Sequence, residues 1–159
     1  MYREALEFRQ LTPEWSESLG HMFAVLRERG EDEQFHPHPL TAEHAESLGS
    51  YSGKDLYYVA VSNGTVVGYG MLRGWDEGYE VPSLGIALHP SARGTGLGEA
   101  FMKFLHVAAG REGAKRIRLR VDKTNLRAKR LYERLGYCFK DEDSGQLVGY
   151  LVLHLPALQ

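Results

Sequence analysis

One cysteine, Cys138, in 159 residues leaves no partner for an internal disulfide, so the chain reads as one made for a reducing compartment. An excess of either charge is also missing. Nineteen Lys plus Arg stand against 21 Asp plus Glu, a formal net charge of −2 that argues against a general nucleic-acid or membrane-surface binder. No apolar run reaches the roughly 20 residues of a membrane span. The longest uncharged stretch, Ser144 to Gln159, is interrupted by Gly145, Gly149, His154 and Pro156 and reads as a buried strand. The first seven residues alternate charged with apolar side chains and lack the apolar core of a signal peptide, so a soluble, cytoplasmic protein is expected. There is no repeated segment to suggest a solenoid. With 43% hydrophobic residues the chain can build one packed core, and its length fits one domain over residues 1–159.

Apolar spacing divides the chain into elements. Ala5 to Thr12 alternates as a strand, and Thr12-Pro13 opens a helix carrying Trp15, Leu19, Met22, Phe23 and Leu26 on one face until Gly30. A shorter helix runs from the Thr41 cap to about Gly49. Leu56 to Val61 and Val66 to Leu72 form a hairpin around Asn63-Gly64. Leu84 to Leu88 is a short buried strand. Leu97, Ala100, Phe101, Phe104, Leu105, Ala108 and Ala109 mark a long helix, and Ile117, Leu119 and Val121 alternate with Arg118 and Arg120 as a strand. Asn125 to Leu135 is a helix stopped by Gly136. Tyr137 to Lys140 and Leu147 to Leu155 are strands around a turn from Asp141 to Gly145. This order predicts an α/β (α+β) single domain: a mostly antiparallel mixed sheet of six to seven strands flanked by about four helices.

Arg93-Gly94-Thr95-Gly96-Leu97-Gly98 joins a strand to the start of the longest helix. A helix N-terminus leaves about four amides without internal partners, and glycines allow an anion to approach them. Spacing alone favours a pyrophosphate site with Arg93 as additional charge; the other reading is a tight turn. No Gly-Lys-Ser/Thr follows, which excludes a Walker loop, and Glu99 stands where a dinucleotide fingerprint would continue.

The segment Leu84-Gly85-Ile86-Ala87-Leu88-His89-Pro90, followed by Arg93-x-x-Gly96-x-Gly98, resembles the acetyl-CoA signature of the GNAT N-acetyltransferase superfamily. A second motif of that family is matched by Asn125-x-x-Ala128-x-x-Leu131-Tyr132-x-x-Leu135-Gly136-Tyr137. Together the motifs cover residues 84 to 137. The resemblance implies acetyl-CoA as co-substrate, with its pyrophosphate on the amides of Arg93 to Gly98. It implies that Ile86, Ala87 and Leu88 pair their backbone with the pantetheine arm, with the amide near Leu88 facing the thioester carbonyl. It assigns Tyr132 as the general acid for the leaving thiolate, and Asn125 and Ala128 as cofactor contacts beside it. On helical spacing alone Tyr132 is a packing residue and Asn125 an N-cap.

The acceptor amine must lose a proton, and Glu80, at the position where several family members carry a glutamate on the fourth strand, is the candidate base. Otherwise Glu80 is a solvated charge in the run from Asp76. His36 and His38 lie in the loop between the first two helices, which in this family lines the acceptor side. They are candidate substrate contacts or parts of a rigid loop, and two histidines without a third ligand make no metal site. The basic stretch from Lys115 to Arg130 reads mostly as solvated surface. Acidic Glu31-Asp32-Glu33 and Asp76-Glu77 point to a cationic acceptor, either a small molecule or a protein N-terminus. Pairing with a second copy of the chain is left open. The competing readings are a non-catalytic sensor of coenzyme A or a nucleotide, a transferase using another acyl-CoA or a non-amine acceptor, and a nucleic-acid-binding module.

Overall fold

The computed structural model describes residues 5–154. Seven strands form one sheet in the order β1-β2-β3-β4-β5-β7-β6, numbered along the chain: β1 Leu6–Gln10, β2 Leu56–Ser62, β3 Thr65–Arg73, β4 Ser83–Leu88, β5 Arg116–Asp122, β6 Cys138–Asp143 and β7 Gln146–Val152. All neighbours are antiparallel except β4 and β5. Four α-helices complete the fold: α1 Pro13–Glu28, α2 Ala42–Gly49, α3 Leu97–Arg111 and α4 Leu126–Arg134. Among the described residues no helix is long and apolar enough to cross a membrane.

Strand alternation sorts the apolar side chains into two layers. Val59, Val61, Tyr69 and Met71 pack against Leu19, Met22 and Phe23 of α1 and Ala45 and Leu48 of α2. On the other face Leu72, Leu84, Ile117 and Leu119 pack against Leu97, Phe101, Met102 and Leu105 of α3, with Tyr132 of α4 alongside. The buried stripe on α3 differs from the expected one at two positions: Met102 is buried and Ala100 exposed, and Phe8, Phe101 and Phe104 form an aromatic cluster.

Two differences from the sequence reading have clear causes. The last hairpin turns tightly at Ser144-Gly145, so Asp141 to Asp143 extend β6, where an exposed sheet edge tolerates charge. Strand β4 is mostly half-buried, not buried, because β5 does not stay beside it. Their ladder has a single register pair, Ser83 with Arg118, beside an Arg118 amide donating to the Pro82 carbonyl at 2.9 Å. Beyond that point the two parallel strands diverge. Leu155, expected at the end of β7, lies outside the described residues.

Candidate active site

The divergence of β4 and β5 opens a cleft of about 1580 Å³ that runs through the sheet. Its walls include Gly96 and Gly98 at the start of α3, Ala128 and Tyr132 of α4, and, on the opposite face, Phe35 and His36 of the α1–α2 loop. Backbone parity decides which groups of β4 face it. The His89 amide donates to Val67 of β3 at 2.8 Å, and the register continues through Ala87 opposite Tyr69 and Gly85 opposite Met71. In an antiparallel ladder the amide and carbonyl of one residue face the same neighbour. Ala87 therefore spends its backbone on β3, whereas Ile86 and Leu88 present theirs to the cleft. Of the three expected cofactor-pairing residues, Ala87 contributes a wall and not a backbone partner.

The α3 N-terminus lies at the wide end. The Ala100 amide donates to the Gly96 carbonyl at 3.1 Å, and the amides of Leu97, Gly98 and Glu99 before it have no partner among the described residues. Gly94 and Gly96 have φ of +75° and +86°, and a Cβ built at either would meet open space. The turn needs these glycines for their positive φ, and the space before them is open. Thr95 turns its hydroxyl onto the Ala92 carbonyl, and the Leu97 side chain is in the core, so only their backbone is available to a ligand. Arg93 is not a free charge. Its guanidinium binds both carboxylate oxygens of Glu31 and donates to the Leu88 carbonyl at 3.2 Å, and it holds the Glu31 carboxyl down at about 2.

Tyr132 is fixed by the end of its own helix. Leu135 is the C-cap and Gly136 takes φ of +103°, letting the Tyr137 amide reach the Tyr132 carbonyl at 3.0 Å and the Gly136 amide reach Glu133. The rings of Tyr132 and Tyr137 then pack 5.9 Å apart, and the Tyr137 hydroxyl lies 2.9 Å from His106 Nε2 of α3, tying the two helices together. Burial pushes the Tyr132 phenol up to about 12. Asn125 caps α4 by accepting from the Ala128 amide at 3.2 Å, and it also borders the cleft.

Glu80 borders the cleft as well, but from an exposed loop: β4 begins at Ser83, after Pro82 has ended any extension of the strand toward Glu80. The two loop histidines point apart. His36 is exposed, with Nε2 3.2 Å from Asp122, whose carboxylate also accepts from Gln146 at 3.2 Å, so this contact crosses the cleft from the α1–α2 loop to β5. His38 is in the core and does not line this cleft. Its Nδ1 donates to the Pro39 carbonyl at 2.9 Å, which leaves Nε2 to accept from the buried Tyr69 hydroxyl at 2.8 Å, and its ring stacks on His44.

Burial lowers His38 from 6.5 to about 4, with His44 and Arg73 adding repulsion. Because the folded form resists protonation, the contribution of neutral His38 is complete above pH 6.5 and is lost as pH falls toward 4. About 3 kcal/mol of stability should disappear over that window. His38→Gln, which can still accept from Tyr69, should reduce the proton uptake on unfolding by one in denaturant titrations across pH 6.5 to 4. An unchanged pH slope would assign the acid sensitivity to other groups.

A split sheet with an open strand edge and bare helix amides at its mouth defines a fold of the acetyltransferase type. The chain matches the acetyltransferase (GNAT) family over residues 13–137 and belongs to that family. Similar solved structures include a GNAT-family acetyltransferase from Streptococcus pneumoniae (19% identity, TM-score 0.76, covering 94% of this chain and all of that one). Another is the ribosomal-protein-S18-alanine N-acetyltransferase of Escherichia coli (18%, TM-score 0.72, 96% and 97%). The PaiA N-acetyltransferase of Thermoplasma acidophilum, solved with coenzyme A, is similar too (16%, TM-score 0.77, 94% and 99%). No curated protein matches the chain in sequence.

Sequence reasoning missed several residues that border the cleft: Glu31 as the partner of Arg93, Asp122 as the partner of His36, and Arg73, Ser83 and Arg118 at the narrow end. Alternation with Ile117 and Leu119 already set Arg118 on the other face of β5. Nothing local said that this face lines a cleft.

Proposed function

We propose that the protein is an acetyl-CoA-dependent N-acetyltransferase acting on a primary amine, and that residues 1–159 form one such domain. The observation that supports this most is the open edge of β4 leading directly to the bare amides of α3. The donor set fits the co-substrate: the amides from Gly94 to Gly98 suit a pyrophosphate, and the outward backbone of Ile86 and Leu88 suits an amide-bearing arm. Asn125 and Ala128 flank the same route. Acetyl-CoA supplies the acetyl thioester.

In this reading the Leu88 amide donates to the thioester carbonyl oxygen and stabilises the charge that grows there. Tyr132, kept protonated through neutral pH by burial, donates its hydroxyl proton to the leaving sulfur. A phenol at about 12 is further from a free thiol at ~8.5 than an exposed tyrosine would be, but the same apolar wall also raises the thiol. Glu80, on the acceptor side, takes the ammonium proton directly or through water. Cys138, an exposed free thiol, is in keeping with a cytoplasmic setting.

Thiol release from acetyl-CoA in the presence of a panel of amines tests the activity. Binding without any amine-dependent release would favour the sensor reading instead. For Glu80→Gln, turnover at neutral pH should fall, and the defect should shrink as pH approaches the pKa of the acceptor. A loss confined to KM and softened by salt would make Glu80 an attractor of the amine. Normal turnover with normal KM would remove it from the site.

A further inference from the structure

The narrow end of the cleft carries a lateral row of side chains on one face of the sheet. Register pairs Arg73 with Ser83, Ser83 with Arg118, and Arg118 with Tyr150, across β3, β4, β5 and β7. Paired residues share a face, so Arg73 and Arg118 flank Ser83 two strand spacings, or about 10 Å, apart. All four are half-buried and border the cleft on the α1–α2 face.

Neither arginine has a carboxylate partner among the described residues. Arg73 donates to the Pro37 carbonyl at 2.8 Å, and Arg118 reaches only the Ser83 hydroxyl at 3.5 Å. Two of the acids that suggested a cationic acceptor are occupied. Glu31 is bound by Arg29 and Arg93, and Asp76 by the Tyr51 hydroxyl and the Lys54 amide. Glu77 and Glu80 border the same end of the cleft, and no cation among the described residues is within ion-pair distance of either. The end where β4 starts thus presents two unpaired guanidinium groups beside two unpaired carboxylates. Guanidinium forks suit planar carboxylates, and a partly desolvated pair without a protein anion favours one from a ligand.

We infer that the acceptor is an amino acid, whose carboxylate is held by Arg73 and Arg118 across Ser83 while its amine faces Glu80. This specifies the substrate class of the proposed transferase and rests on that reading. It separates a free amino acid from a protein N-terminus, which has no carboxylate beside its amine.

Each α-amino acid is assayed beside its own amide with acetyl-CoA, and the same pairs are titrated calorimetrically into the coenzyme A-saturated protein, a measurement that needs no turnover. The preferred amino acid should exceed its amide in kcat/KM by about 10- to 100-fold, the span of a charge-assisted hydrogen bond. In Arg118→Gln and in Arg73→Gln that ratio should collapse toward one through KM, with Arg118→Lys intermediate because it keeps charge without the fork. Melting curves confirm that each variant is folded. Equal use of acids and amides, losses in the variants that strike both alike, or preference for peptides would overturn the inference. Amines acetylated without an acid preference would overturn the carboxylate site and leave the transferase standing. Carboxylate binding that Arg118→Gln abolishes, with no amine acetylated, would do the reverse.

Discussion

Replacing Gly98 with aspartate is expected to weaken binding of acetyl-CoA and coenzyme A by about 100-fold or more, a change of ~3 kcal/mol, while leaving the protein folded. Gly98 is the second residue of α3, and its amide is among those without a partner among the described residues. It has no positive φ, and a Cβ there would meet the ends of two flexible side chains, Leu88 at 3.3 Å and Leu131 at 3.9 Å. An acidic side chain in the first turn stabilises a helix by roughly 0.3–1 kcal/mol, yet it puts negative charge where the pyrophosphate is proposed to bind. Stability and affinity should therefore move in opposite directions. Calorimetry and a melting curve read the two separately, and wild-type affinity in Gly98→Asp would sink the pyrophosphate site. Gly96→Asp should weaken binding severely as well. At φ of +86° that substitution also strains the turn, so its effect mixes conformation with charge.

Tyr132→Phe should lower turnover by about 10²–10⁴-fold, the span of general acid–base groups, with little change in cofactor affinity. The ring contact with Tyr137 and the backbone bond from the Tyr137 amide survive this change, so α4 should keep its position. Removing the hydroxyl alone thus isolates the proton. Steady-state assays between pH 6 and 10, with coenzyme A binding measured alongside, decide the outcome. Equal turnover across that range would make Tyr132 a packing residue.

The local signals were strong where one element carried the whole feature. Proline after Thr12, the glycine loop before Leu97, the Asn125 cap and the Gly136 stop each place a helix boundary within a residue or two, because capping involves only neighbours in sequence. Tyr132 belongs to this group, since the C-cap that aims it lies in its own helix. Glu80 does not. Its six-residue distance from Ile86 suggested a place on the fourth strand, but Pro82 ends the ladder, and an exposed loop carries the carboxylate.

From its order alone the sequence determined the elements and the strand–loop–helix junction at Gly94 to Gly98, since each follows from spacing within one segment or from glycine and proline chemistry. Only the tertiary structure decided that β4 and β5 part after the single Ser83–Arg118 pair, because divergence depends on what the helices on both faces allow two distant segments to do. The same long-range packing sent His38 into the core and His36 across to Asp122, although one residue separates them. It also paired Arg93 with Glu31, 62 residues earlier, and left Arg73 and Arg118 on either side of Ser83 without a carboxylate partner among the described residues. Charge in a sequence is a property of residues, whereas unpaired charge is a property of the folded surface, because only folding chooses each partner.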